Sequence, residues 1–370
     1  MENKQISSYA AVLLIITIII NHIILNLPKS LLKSTESFSP INIIYICILA
    51  ILITTIICKL FKNFPSLDIL DVSEILFGKW FKFIIGVLCI IYLLLSSSLI
   101  LRDFCEGLKI IYYMKTPIYF VLALFIIVAA ISNMLGESSI IRSNVIILPI
   151  VLTAIIFIFV ANIKNFMPQR IFPLLGDGSY STFITGTVNL YAFSPFPLIY
   201  FIAPFLKNPS KLTKVSVISI IIASLFLISC IFSLVFMFSF INTENEIMPI
   251  YLASRFIEFG TFFQRIDAIF LLILILEVGI YLSIVIMFIL RILKKITYIE
   301  NTSNIIYAVC LLLFCVSLFP KSLADIDYFN DTFYKYSILY FVILGGLLIL
   351  ILANLKKKFK KKKNIKGDVY

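Results

Sequence analysis

Ten runs of mostly apolar residues, each about 20 residues long, restrict this chain to folds that place helices in a lipid bilayer. Hydrophobic residues make up 61% of the 370-residue sequence and charged residues 14%, whereas soluble domains have roughly 45–50% and about 25%. A soluble globular domain, a disordered chain and a disulfide scaffold are therefore excluded. We expect an all-α integral membrane protein with ten transmembrane helices, near residues 8–27, 41–60, 83–102, 117–134, 140–161, 182–203, 215–241, 266–290, 303–320 and 335–354.

The net charge of +12 is concentrated at the C-terminus, where residues 356–366 carry eight of the 31 basic residues. A cation run directly after an apolar span is typical of a cytoplasmic anchor that binds anionic lipid, so we expect no nucleic-acid partner. The basic residues of the connections divide almost evenly between the two sides until this tail is counted. The tail therefore predicts that both termini are cytoplasmic.

The connections are short, and we expect one membrane domain over residues 1–370, with a basic tail at 355–370. Two longer polar stretches stand out. In the stretch 59–82, Ser66–Asp68 after Pro65 predicts the start of a short amphipathic helix at the membrane surface. The stretch 242–265 has a similar pattern from Met248 onward.

Two spans contain polar residues followed by proline. The first reads Asn-His-Ile-Ile-Leu-Asn-Leu-Pro over residues 21–28, and the sixth has Pro195 and Pro197 shortly after Asn189. Interrupted segments at matching positions of two five-span halves indicate an inverted-repeat transporter fold, with repeats near 8–161 and 182–354. The alternative is that Pro28 only ends the first span and that residues 195–197 form a kink.

Several motifs, in their order and spacing, resemble the spore germination permease family, the B subunit of the germinant receptors of spore-forming Firmicutes. They are Phe64 to Trp80, Leu101 to Glu106, Pro173 to Gly178, Ala203 to Asn208 and Arg265 to Ala268. That family belongs to the amino acid–polyamine–organocation superfamily.

The resemblance implies a LeuT-like fold, in which ten helices form a five-plus-five inverted repeat with broken helices 1 and 6. It implies a site for a small germinant, such as an amino acid or nucleoside, among helices one, three, six and eight. It also implies A and C subunits as partners, the spore inner membrane as the location, and sensing rather than pumping of the ligand. One departure concerns Asn21 and Ile23, where the family carries glycines, so we expect the first helix to be less unwound here.

Polar and aromatic side chains inside the spans are the candidate ligand contacts. Glu277 is the sole acid deep in a span, and such a residue binds a cationic group, holds a proton, or is a protonated group bonded to a neighbouring helix. Tyr281 shares its face. For His22 and Ser96, packing is the alternative to ligand contact. The full set is Asn21, His22, Asn26, Tyr92, Ser96, Tyr191, Ser194, Phe196, Glu277 and Tyr281.

These features favour a germinant-sensing receptor subunit that binds a small polar molecule at a mid-membrane site. The alternative is a proton- or sodium-coupled amino acid transporter with Glu277 as the coupling residue. With one histidine and no nucleotide-binding motif, we do not expect an enzyme, a metal site or a cofactor. Arg102, Asp103 and Glu106 are expected to form ion pairs at the outer end of the third span, as are Arg265 and Asp267 at the start of the eighth.

Overall fold

Helices account for nearly all of the regular structure in the part of the chain that the computed structural model describes. This part comprises residues 5–24, 28, 31, 39–172, 179–193, 196–238, 248–257, 266–299 and 303–367. Within it, the one pairing of extended backbone is an isolated bridge between Ile6 and Leu206. The all-helical fold class predicted from the apolar runs is therefore confirmed.

The helices follow the order of the predicted spans. They are α1 (Ser8–Ile24), α2 (Ser39–Phe61), α3 (Ile69–Phe77), α4 (Lys79–Ile111), α5 (Ile118–Met134), α6 (Glu137–Ala161), α7 (Ser179–Phe183), α8 (Phe196–Ile202), α9 (Leu212–Met237), α10 (Pro249–Arg255), α11 (Ile266–Thr297), α12 (Ser303–Ser317), α13 (Leu323–Phe329), α14 (Lys335–Ser337) and α15 (Gly345–Gly367).

Among the described residues, six helical stretches are long and apolar enough to cross a bilayer, and three shorter apolar helices accompany them. The six are Ser39–Phe61, Lys79–Ile111, Glu137–Ala161, Thr185–Phe205, Pro209–Met237 and Ile266–Thr297, and the shorter ones are Ser8–Asn21, Ile118–Met134 and Ser303–Ser317. The tenth predicted span coincides with α14, a π-helix over Ile338–Leu344 and the start of α15. The chain is thus a multi-pass membrane protein, and the count of ten spans stays a prediction.

Helix α11 forms the centre of the bundle. It packs against α4, α5 and α6, and it also contacts α1 and α12. All residues from Glu277 to Leu290 are buried, so both its apolar and its polar side chains face neighbouring helices. Helix α1 in turn packs against α6 and α9, which leaves it enclosed on several sides.

The predicted amphipathic helix near Asp68 is present as α3. The Asp68 carboxylate accepts a hydrogen bond from the Asp71 amide, and the Asp71 side chain accepts one from the Asp68 amide, which forms a capping box. Lys295 of α11 reaches both carboxylates, at 2.5 Å from Asp68 and 2.6 Å from Asp71. The start of α3 is therefore tied to the central helix.

The basic tail extends helix α15 to Gly367 and contacts α3. Lys356 Nζ donates to the carbonyls of Ile75 and Leu76, at 2.9 and 2.6 Å. These are carbonyls of the last turn of α3, which lack partners within their own helix. Asn354 Nδ2 similarly donates to Leu60 O at 3.1 Å.

The ends of four transmembrane segments are joined at the same side of the bundle. Ile6, before α1, donates its amide to the carbonyl of Phe205, which follows α8, at 2.7 Å. The Arg291 guanidinium of α11 lies 3.4 Å from the centre of the Phe205 ring. It also donates to the Glu137 carboxylate of α6, with Nε 2.6 Å from Oε1. These contacts close the bundle at this end.

Candidate functional site

A pair of buried polar side chains joins α1 to α11. The Asn21 side-chain amide donates to Glu277 Oε1 at 3.3 Å and to the backbone carbonyl of Thr17 at 2.9 Å. Glu277 is 0% exposed and Asn21 is 1% exposed. Two predicted site residues that are 256 positions apart in the chain are therefore in direct contact within the membrane.

The polar contacts continue along α1 toward α6. Thr17 lies one turn before Asn21 on the same face, and its hydroxyl lies 2.5 Å from Asn144 Oδ1. Both Thr17 and Asn144 are buried. Thr17 and Asn144 were not among the predicted site residues. The available signal was the four-residue spacing of Thr17 and Asn21 on an otherwise apolar helix.

Two polar atoms of this cluster have no hydrogen-bond partner within the described part of the chain, namely Glu277 Oε2 and Asn144 Nδ2. Leaving a buried polar atom unpaired costs about 1–3 kcal/mol. One is an acceptor when ionised and the other a donor. Glu277 Oε2 can accept a hydrogen bond from a small molecule that carries a donor group, or it can bind a proton. The cluster therefore has the chemistry of a site for a cationic or hydrogen-bond-donating group.

The sixth predicted span departs from α-helical geometry before its prolines. Residues Thr185–Phe193 form a 3₁₀-helix, and α-helical geometry resumes over Phe196–Ile202. Runs of 3₁₀-helix longer than 3–4 residues are uncommon, and mid-span examples mark functional hinges. Both the 3₁₀-helix and α8 contact α1. The 3₁₀-helix of the sixth span therefore lies beside α1, and the predicted break at Pro195 falls on residues 194–195, outside the described part of the chain.

The first helix is continuous α-helix from Ser8 to Ile24. Asn21 and Ile23, where the related family carries glycines, are both in helical conformation, as the missing glycines predict. The predicted break toward Pro28 falls on residues 25–27, which lie outside the described residues.

Helix α2 supports the 3₁₀-helix through side-chain amides. Asn189 Nδ2 donates to Asn42 Oδ1 at 3.0 Å, and Asn42 Nδ2 donates to the Thr182 carbonyl at 2.7 Å. Both asparagines are buried. These bonds stabilise a segment whose backbone departs from α-helical pairing.

Tyr191 is buried on the 3₁₀-helix, and its ring faces a lysine that the sequence analysis did not select. Lys335 Nζ lies 5.4 Å from the centre of the Tyr191 ring and 2.6 Å from Asp331 Oδ1. Lys335 is 8% exposed, so a paired cation lies next to the interrupted helix. No local sequence pattern marks this contact because Tyr191 and Lys335 lie far apart in the chain.

The remaining predicted residues occupy three settings. Tyr281 is buried one turn after Glu277, and Tyr92 is half-buried on α4. Ser96 is buried and donates to the Leu93 carbonyl of its own helix at 3.1 Å. The side chains of His22 and Phe196, and all of Asn26 and Ser194, lie outside the described residues.

The predicted ion pair at the third span is confirmed. Arg102 Nη2 lies 2.7 Å from Glu106 Oε1, and Arg102 Nη1 donates to the Ser317 carbonyl at the end of α12. Arg102 is 4% exposed. At the eighth span, Asp267 accepts a hydrogen bond from Tyr251 at 2.9 Å, and Arg265 lies outside the described residues. Arg102 therefore links α4 to α12 away from the Asn21–Glu277 contact.

Comparisons with known proteins agree with this architecture. A family model described as "Spore germination protein" matches residues 5–326. Two curated proteins of Bacillus subtilis (strain 168) are similar along nearly their whole length. Spore germination protein YndE is 22% identical over 368 residues, covering 97% of this chain and 99% of YndE. Spore germination protein B2 is 21% identical over 347 residues, covering 90% of this chain and 91% of B2.

Solved membrane transporters share the fold at low sequence identity. A Na⁺-coupled sialic acid symporter in a substrate-bound, outward-open state aligns with a TM-score of 0.67 and 12% identity, covering 95% of this chain and 92% of the symporter. Mhp1 in its inward-facing conformation aligns with a TM-score of 0.65 and 11% identity, covering 94% of this chain and 76% of Mhp1. These relatives are germination proteins and transporters, not enzymes. The chain therefore has the predicted LeuT-like fold and belongs to the spore germination protein family.

Proposed function

We propose that this protein is the germinant-sensing membrane subunit of a spore germination receptor, and that it binds a small polar molecule between α1, α11 and the interrupted sixth helix. The single observation that carries this proposal is the contact between Asn21 and Glu277, fully buried at the centre of the bundle. An intramembrane carboxyl group is costly to bury and is functional by default.

The chemistry of the cluster favours a ligand with an ammonium or hydroxyl group. Glu277 Oε1 already accepts from Asn21, and its second oxygen is the acceptor available to a ligand. An amino acid satisfies this requirement directly. We propose Tyr281, Tyr191, Tyr92 and Ser96 as further contacts, together with His22, Asn26, Ser194 and Phe196.

A second candidate is a proton- or sodium-coupled amino acid transporter. The fold shared with a Na⁺-coupled symporter supports this alternative, as does the unpaired oxygen of Glu277, which suits a coupling proton or cation. In the receptor, ligand binding biases a conformational equilibrium that partner subunits respond to. In the transporter, the same pocket opens alternately to both sides.

The partners and the location are part of the same proposal. We propose A and C subunits of a germinant receptor as partners, the spore inner membrane as the location, and cytoplasmic termini. The lysines beyond Lys357 then bind anionic lipid, since Lys356 and Lys357 already donate to backbone carbonyls. A reporter fused after Tyr370 tests the orientation, and an extracellular signal contradicts it.

Reconstitution separates the two candidates. The purified chain is placed in liposomes and tested with labelled amino acids and nucleosides for binding and for accumulation. Saturable binding without uptake supports the sensing subunit. Uptake that follows an imposed proton or sodium gradient supports the transporter. Absence of both binding and uptake across the panel contradicts a ligand site in this chain.

A further inference from the structure

A long groove on the outside of the bundle follows α5, with α6 and α11 as its other walls. It has a volume of about 530 Å³. At one end it is lined by Tyr113 and Thr116, and at the other by Ser139 and Ser143 of α6. We call it the α5 groove. Its floor is formed by α11, the helix that carries Glu277.

The α5 groove is apolar even though several serines line it. Ser132 donates to the Val128 carbonyl at 2.8 Å, and Ser283 donates to the Gly279 carbonyl at 2.8 Å. Ser139 also donates to a carbonyl of the preceding turn, at 3.2 Å. These hydroxyl protons are used within the chain, so the groove offers hydrocarbon surface and few groups for a polar ligand.

The edges of the groove face the lipid. Leu124 of α5 is 65% exposed, Leu135 directly after α5 is 70% exposed, and Leu276 of α11 is 55% exposed. All three line the groove. In a multi-pass membrane protein such side chains contact acyl chains, so the groove opens directly into the hydrocarbon core of the bilayer.

The length of the groove suits a single hydrocarbon chain. The α5 residues that line it run from Phe120 to Ser132, a rise of about 18 Å. The hydrocarbon core of a bilayer is about 30 Å thick, so an acyl chain of one leaflet reaches about half of that distance. An acyl chain that lies parallel to α5 therefore contacts the lining along most of its length.

An exposed cation on α6 lies directly beside one end of the groove. Arg142 immediately precedes the lining residue Ser143 and has no ion-pair partner among the described residues. The nearest acid along this helix, Glu137, is bound by Arg291. The side chains at this end are small, because Ser139 and Ser143 line it. Lys115 lies near the other end, where Phe120, Leu124 and Phe125 fill the walls.

We propose that the α5 groove binds one acyl chain of an anionic phospholipid, with the lipid phosphate at Arg142. The small side chains accommodate the chain, and the guanidinium fixes the headgroup by a charge-assisted contact. The bound chain then packs against α11, the helix that carries Glu277.

Photolabelling of the full chain in nanodiscs tests this assignment. The probe is phosphatidylglycerol with a diazirine in one acyl chain, and labelled peptides are mapped by mass spectrometry. Ser143→Phe places a large side chain in the groove. Thr153→Phe is the matched control, because Thr153 is an exposed hydroxyl residue of the same helix outside the groove.

We expect labelling to concentrate on peptides that contain Ser132–Ile147 and Leu276–Ser283, and to fall at least threefold in Ser143→Phe but not in Thr153→Phe. We also expect wild type to prefer the phosphatidylglycerol probe over a phosphatidylcholine probe by at least threefold, and Arg142→Gln to remove the preference. Even labelling of all lipid-facing helices, or equal labelling in the two phenylalanine variants, overturns the proposal. Loss of groove labelling when the receptor partners are co-purified also overturns it, because a protein then covers the groove.

Discussion

Asn21 Nδ2 donates a hydrogen bond to Glu277 Oε1 at 3.3 Å, and this bond joins α1 to α11 at the centre of the bundle. Each is a buried polar side chain in a mostly apolar span, where an unpaired polar group is costly. Their contact lowers this cost, because the amide group donates a hydrogen bond to the carboxyl group. It leaves Glu277 Oε2 without a partner in the described part of the chain, which is the atom that our functional proposal assigns to the ligand.

Gly346 is required by the close approach of Tyr200. A Cβ atom at Gly346 would lie 2.4 Å from Tyr200 Oη, whereas a Cβ atom at Gly345 would come no closer than 3.8 Å to Tyr340 O. We expect Gly346→Ala to cost about 1–3 kcal/mol through overpacking and to lower the melting temperature in detergent. Gly345→Ala is the matched control and is expected to be neutral or slightly stabilising. Equal melting temperatures for the two variants contradict this contact.

Arg102 is expected to be essential for stability, because its removal leaves the buried Glu106 without its cation. Breaking a buried pair from one side costs about 3–5 kcal/mol. Arg102→Met should therefore destabilise the protein strongly, and the double variant Arg102→Met/Glu106→Met should recover part of the loss. Thermal unfolding followed by size-exclusion chromatography measures both. A double variant no more stable than Arg102→Met argues against a specific pair.

The lysine tail is expected to stabilise the end of α3. Lys356 donates to the carbonyls of Ile75 and Leu76, and cations at a helix C-terminus are worth about 0.3–1 kcal/mol, so Lys356→Gln should speed amide exchange in α3 about two- to fivefold. Hydrogen exchange of the peptide covering 69–77 measures this effect. Lys358→Gln removes an equally exposed charge two residues later and should leave exchange unchanged. If residues 69–77 exchange at the same rate in both variants, Lys356 does not stabilise α3.

The membrane helices and the two buried polar residues of the candidate site could be predicted from the sequence. Each apolar run is a continuous stretch of sequence that is long enough to cross the bilayer. The positions of α2, α4, α6 and α11 can therefore be predicted from these runs. Asn21 and Glu277 were both recognisable because burying a polar group in lipid is costly. The prolines of the sixth span also predicted a break, since proline at 195 removes a hydrogen bond to the preceding turn.

The contacts between helices could not be predicted in the same way. Asn144 lies near the start of its predicted span, where polar residues are ordinary, and only the fold brings it to Thr17. Lys335 belongs to a polar stretch at the end of a loop, and its position over Tyr191 depends on tertiary packing. The π-helix over Ile338–Leu344 has no proline or glycine within it that would have marked it.

Binding to Glu277→Gln is the most direct test of the account. Glutamine keeps an acceptor for Asn21 and nearly the same shape, so the variant should fold and melt like wild type. Any labelled amino acid that binds wild-type protein in nanodiscs should bind Glu277→Gln at least tenfold more weakly, because a hydrogen bond to a charged group is worth about 1.5–3 kcal/mol. Glu74→Gln, which changes a partly exposed carboxylate on α3 outside the site, is the control and should keep wild-type affinity. Equal affinity of wild type and Glu277→Gln for the same ligand would contradict the central claim.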